Sequence, residues 1–219
     1  MADRWASTNL PSRSEQREVK RAALISQAAK AFKARGFQAT TMDDIASSLG
    51  VTKGALYRYV SNKQDILFEC FMSSNRIGNA AIARANAFAG SGLEKLQTFI
   101  LDFIENYLAH NTAGGAMVDI DALFPEQREQ VIAERDRIDA ALRKLIAGGI
   151  ADGSIAPGNA KLAELTVMGS INWIPSWYRP DGSWTPQLIA QTMSSIFSDG
   201  LRARPASNPA PRKKPARGR

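Results

Sequence analysis

Apolar positions recur at steps of three and four along most of the chain, and no alternating run is long enough to predict a strand. The first helical stripe runs from about 15 to 35 through Ile25, Ala28, Ala29 and Phe32, and Gly36 follows as a C-terminal cap. Two short helices are predicted between 41 and 60. A longer one runs from 63 into the eighties, with Ile66, Leu67, Phe71 and Met72 near its start. Gly90 and Gly92 separate it from a regular stripe of Leu93, Leu96, Ile100, Phe103, Ile104 and Tyr107. After a less regular segment, 111–123, Pro125 opens a helix carrying Val131, Ile138, Leu142 and Leu145, which ends near 148–153. Helices over about 160–178 and 186–201 flank RPDGSWTP, whose Pro, Asp and Gly content reads as a turn. The pattern predicts an all-α fold of about nine helices, with a flexible arm before it and a Pro- and Arg-rich tail after it.

Charge changes the picture by being polarised. Residues 1–63 hold 11 Lys+Arg against 5 Asp+Glu, 64–201 hold 10 against 16, and 202–219 hold 7 against none. A basic head suits a polyanion such as DNA, and an acidic body confines that contact to one end. No run is long and apolar enough for a membrane span, and the start lacks a signal-peptide shape, so a cytoplasmic protein without a membrane partner is expected. Cys70 falls in an apolar helical stripe and reads as a packed core thiol.

The stretch TTMDDIASSLGVTKGALYRYVSNKQDIL, residues 40–67, concentrates the local signals. Thr41 can cap the first short helix, with Asp43 and Asp44 at its positive end. Ile45 and Leu49 share a face, and small Ala46 allows a close crossing. Gly50 suits a turn that requires positive φ. Val51 is expected to plug the corner, Thr52 to cap the second helix, and Leu56 to face the core. Two short helices about a glycine turn describe a helix-turn-helix. Thr52 and Lys53 stand where such a helix meets the major groove. Gly54 lets backbone approach the sugar-phosphate wall. Tyr57 and Tyr59 can reach phosphate or a thymine methyl, or pack in the core, and Lys63 can neutralise a phosphate.

The run GFQATTMDDIASSLGVTKGALYRYVSNKQDIL resembles the DNA-binding domain of the TetR family of bacterial repressors over roughly residues 15–68. Val60 departs from the pattern, which usually carries phenylalanine there. The resemblance implies that Thr41 contacts the DNA backbone, that Thr52, Lys53, Gly54 and Tyr57 meet bases or nearby phosphates, and that Tyr59 and Lys63 hold phosphate. It implies an arm over 1–14, a DNA-binding domain over 15–62, a ligand-binding and dimerisation domain over 63–202, and a disordered basic tail over 203–219. The implied partners are a double-stranded, palindromic DNA operator, a small-molecule effector and a second copy of the chain. In the homodimer the last two helices form a four-helix bundle, for which Leu162, Leu165, Leu188, Met193, Ile196 and Phe197 supply apolar faces; the same residues could be intrachain core.

A ligand pocket needs apolar walls with a few polar anchors. Candidates are Phe71, Phe103, Tyr107, Trp173, Trp177 and Arg179, with Met72, Phe99 and Met117 as further apolar wall. The segment GSINWIPSWYRPDG, residues 169–182, resembles TetR regulators that respond to acyl-CoA thioesters in fatty-acid or sterol catabolism. Pro175 within it is expected to kink its helix, and Arg179 either meets an anionic head or pairs with Asp181 across the turn. His110, the one histidine, reads as a helix-end or surface residue, so no metal site is expected. No cofactor is implied, and P-loop, G-x-S-x-G and H-E-x-x-H motifs are missing, which argues against an enzyme. The leading expectation is a ligand-responsive repressor released by an apolar or amphipathic effector. The alternatives are a repressor answering a hydrophobic drug or other non-CoA ligand, a constitutive architectural DNA-binding protein, and a helical enzyme with a vestigial head.

Overall fold

The computed structural model describes residues 12–109 and 120–203 of the 219. They form α1 (Arg13–Arg35), α2 (Met42–Ser48), α3 (Lys53–Leu56), α4 (Lys63–Ala87), α5 (Gly92–Ala109), a 3-10 turn at Ile120–Ala122, α6 (Pro125–Ala151), α7 (Ala160–Trp177) and α8 (Pro186–Leu201). No strand occurs among the described residues; an isolated bridge joins Ile155 to Arg202. The expected arm, the tail, His110, Met117 and most of the irregular 111–123 segment lie outside the described residues. No described helix is long and apolar enough to cross a membrane.

Local chemistry sets the helix starts. Ser12 and Thr41 close capping boxes with Glu15 and Asp44, and Thr52, Asn62, Asn159 and Thr185 each accept a first-turn N–H. Pro125 and Pro186 stand in first turns, where their missing N–H costs nothing. Gly36 and Gly50 take φ of 81° and 65°, a region that other residues rarely adopt.

Two hydrophobic cores result. The head core gathers Ala28, Phe32, Ile45, Leu56 and Val60 with Ile66, Leu67 and Cys70 of α4, and also Leu123 and Val131 from the α6 end of the body. It therefore runs past the 62/63 boundary expected from the sequence. Burial pushes the Cys70 thiol up to about 12, so it is an inert core group. Val51 differs from expectation: it is 43% exposed, and Leu56, 1% exposed, fills the corner instead. The body core joins α4 through α8 around Phe99, Phe103, Leu142, Val167 and Ile171.

Lys63 ties the head together. Its ammonium donates to the carbonyl oxygens of Phe37 (2.7 Å), Thr40 (2.9 Å) and Gln38 (3.3 Å), and lies 4.3 Å from the centre of the Phe37 ring. An ammonium has three donors, and here all three are used on the α1–α2 connection. Partial burial lowers its pKa from the ordinary lysine value. At the far end of the body, α5 and α6 touch main chain to main chain: a Cβ on Gly92 would stand 2.2 Å from Gly149 Cα.

Substitution tests both contacts. Lys63→Met should cost roughly 1–3 kcal/mol, because three carbonyls lose their donor; a urea titration measures this. An unchanged midpoint with lost DNA affinity would instead assign Lys63 to phosphate. Gly92→Ala should destabilise by about 1–3 kcal/mol or more, since backbone cannot yield as a side chain can; a thermal midpoint within a degree of the parent would refute the close contact.

Candidate nucleic-acid interface and effector cavity

The residues expected to meet DNA are placed by the short α2–α3 unit. Thr41 caps α2: its hydroxyl accepts from Asp44 N–H at 3.1 Å and donates to the Asp44 carboxylate at 2.7 Å, which holds that carboxyl below its usual range. Thr52 caps α3, its hydroxyl accepting from Ala55 N–H at 3.2 Å. Lys53 begins α3 and pairs with Asp43 of α2 at 2.7 Å, which raises its pKa. Both partners are exposed, so the pair is weakly held and can open to a phosphate.

Thr41, Thr52, Lys53, Gly54 and Tyr57 are all exposed, within seventeen positions of one another. Tyr59 is half-buried and packs against the head core. Lys63, expected to hold phosphate, is engaged here with three backbone carbonyls of the α1–α2 connection. Gly54 is one of several glycines whose backbone and surroundings would accept a side chain. Its φ is not positive, and an added Cβ would meet no atom within 4 Å. Gly54 lies in the first turn of α3, so its exposed backbone is open on the face expected to meet DNA.

Of the expected pocket residues, Phe71, Phe103 and Tyr107 come together. They line a cavity of about 50 Å³ with Ser74, Asn75, Arg135, Ile138, Asp139, Met168 and Asn172. Along α5, Phe99, Phe103 and Tyr107 stack at 5.5 and 5.4 Å with nearly parallel rings. Burial raises the pKa of Tyr107. Burial, and then the charge of Glu164, raise that of Asp139. The sequence reading missed Asn75, Arg135, Asp139 and Asn172. Asn75 had a readable signal, a polar residue four after Phe71 on an apolar stripe.

Trp173, Trp177 and Arg179 do not join this cavity. Trp173 is 62% exposed on the outer face of α7. Trp177 and Arg179 line a separate groove at the end of α7. The turn after α7 is closed by Gly182 N–H donating to Arg179 C=O at 3.0 Å, and no Arg179–Asp181 ion pair forms among the described residues. Pro175 is buried in the last turn of α7, which continues to Trp177. Leu162, Leu165, Leu188 and Ile196 are exposed on α7 and α8, whereas Met193 and Phe197 are half-buried against the chain's own core. No cluster of His, Cys, Asp and Glu fit for a metal occurs among the described residues.

Comparison with known proteins agrees with this architecture. Residues 24–70 match the family described as bacterial regulatory proteins, tetR family, and residues 89–201 match the tetracyclin repressor-like C-terminal domain. The HTH-type transcriptional repressor KstR2 of Rhodococcus jostii is 26% identical over 192 residues, 83% of this chain and 91% of that protein. The structure of the TetR family regulator PfmR from Thermus thermophilus is 29% identical with a TM-score of 0.74, over 82% of this chain and 98% of that one. The structure of AibR in complex with isovaleryl coenzyme A and operator DNA is similar in fold, with a TM-score of 0.68 at 22% identity, over 81% and 97%. An exposed helix-turn-helix head on a helical body, matched in both parts, places the chain in the TetR family of bacterial transcriptional regulators.

Proposed function

We propose that the chain is a ligand-responsive transcriptional repressor. It binds a palindromic operator as a homodimer and is released by an apolar or amphipathic effector of the acyl-CoA thioester class. The observation that carries this reading is the sharing of helices between cavity and head. Helices α4 and α6 wall the cavity through Phe71, Asn75, Arg135 and Asp139, and the same helices supply Ile66, Leu67 and Val131 to the head core. Asn75 also donates to Val131 C=O at 3.2 Å, which links the two helices between cavity and head.

The cavity's size supports an effector-driven change of conformation. Ligand sites for small molecules run to about 300–1,000 Å³, so a space of about 50 Å³ cannot take an effector without helix movement. On this reading an effector prefers a conformation other than this one, and DNA is released where this one is the DNA-binding form. The thioester assignment rests on the resemblance of residues 169–182 to acyl-CoA-responsive regulators, and on the fold shared with a regulator solved with isovaleryl coenzyme A. Leu162, Leu165 and Trp173 are exposed on one face of α7, and Leu188 and Ile196 are exposed on α8. Such a face suits a partner copy, whose second head supplies the other half-site.

Binding to the DNA upstream of the protein's own gene tests the reading, with and without acyl-CoA thioesters and their free acids. Release by a thioester but not its acid is expected; affinity untouched by every thioester would remove the effector class. Gly54→Ala should leave the thermal midpoint unchanged or slightly raised, yet weaken operator binding about tenfold or more. Equal affinity would show that no DNA atom approaches Gly54. Leu165→Glu with Ile196→Glu should yield a folded monomer by analytical ultracentrifugation, with operator binding lost. A dimer that persists would move the interface off this face.

A further inference from the structure

A second space stands where the head meets the body. Lys30, Lys33 and Ala34 of α1 face the end of α7 and its turn, residues 176–181, across a groove of about 890 Å³. Three cations line it, Lys30, Lys33 and Arg179, against one carboxylate, Asp181, and none of these four forms an ion pair among the described residues. Trp177 forms an aromatic wall, set by an edge-to-face contact with Trp184 at 6.1 Å. Lys33 already bridges the seam by donating to Tyr178 C=O at 3.3 Å.

We propose that this groove binds the nucleotide end of a coenzyme A thioester, with phosphates on Lys30, Lys33 and Arg179 and the base on the Trp177 side. The inference deepens the effector reading above and rests on it. A simple carboxylate would use a small part of a groove this size, which falls within the range of small-molecule sites. Three cations matched against one anion favour a polyanion. Arginine offers a planar fork to phosphate oxygens, and an indole face accepts a purine. Because Lys30 and Lys33 belong to the head while Trp177 and Arg179 belong to the body, an anion held by both bridges the seam. Its affinity then depends on the relative position of the two parts, which is what couples an effector to DNA release.

Calorimetry on the full chain at low salt, with adenosine 3′,5′-bisphosphate, dephospho-coenzyme A and coenzyme A as probes, tests the site. The bisphosphate is expected to bind alone, and dephospho-coenzyme A more weakly than coenzyme A. Arg179→Ala, and Lys30→Ala with Lys33→Ala, should each weaken the bisphosphate about tenfold at unchanged thermal midpoint, with part of the loss restored by Arg179→Lys. Equal affinity of parent and variants, or no heat from the bisphosphate on the parent chain, overturns the proposal. Operator release separates this inference from the reading it rests on. A thioester that frees DNA from the variants at parental concentrations sinks the groove and keeps the repressor. A bisphosphate that needs Arg179, in a chain whose operator affinity no thioester changes, keeps the groove and sinks the thioester effector.

Discussion

The membership of α4 in two cores is the constraint on which the rest depends. Its first turns lock Ile66, Leu67 and Cys70 into the head, and its later turns place Ala81, Ile82 and Ala85 in the body. Between them, Phe71, Ser74 and Asn75 face the cavity. A single helix cannot shift at the cavity without carrying the head, since its ladder of i→i−4 bonds resists bending. Helix α6 repeats the arrangement from the other side, with Val131 in the head core and Ile138 and Leu142 in the body. The head is thus held by two helices that both line the cavity.

Polar groups around the cavity add electrostatic weight to the α6–α7 contact. Glu164 on α7 is fully buried, 2.7 Å from Lys161 and 3.6 Å from Arg143 of α6. One of its oxygens makes no hydrogen bond among the described residues. Asp139, on the cavity wall one turn before Arg143, has its pKa raised by burial first and by Glu164 second. Lys161 shares α7 with Glu164, so Arg143 alone carries the pairing across to α6, and sliding would leave a buried charge with less compensation.

What the sequence made legible was local. Caps at Thr41 and Thr52, the C-terminal cap at Gly36, the positive φ at Gly50 and the helix opened by Pro125 all depend on residues a few positions apart. What it hid depended on distant partners. The carbonyls that engage Lys63 lie 23 to 26 positions away, so no local pattern shows them. Trp173 and Trp177 are four apart and share a helical face, but α7 is apolar on two sides, and period alone does not say which side turns outward. The seam between Lys33 and Tyr178 spans 145 positions and left no local trace.

The packing also decides how the cavity can grow. Helices α5 and α6 meet main chain to main chain at Gly92 and Gly149, far along both helices from Phe103, Tyr107, Arg135 and Asp139. That end cannot open without losing a backbone contact, and the stacked rings of α5 resist bending within the helix. Under the proposed effector reading, expansion from about 50 Å³ toward the size of a ligand would fall on the other end, where α4 and the first half of α6 hold the head. A fixed point at one end of a helix pair and a soft cavity near the other make a lever, with the helix-turn-helix at its moving tip.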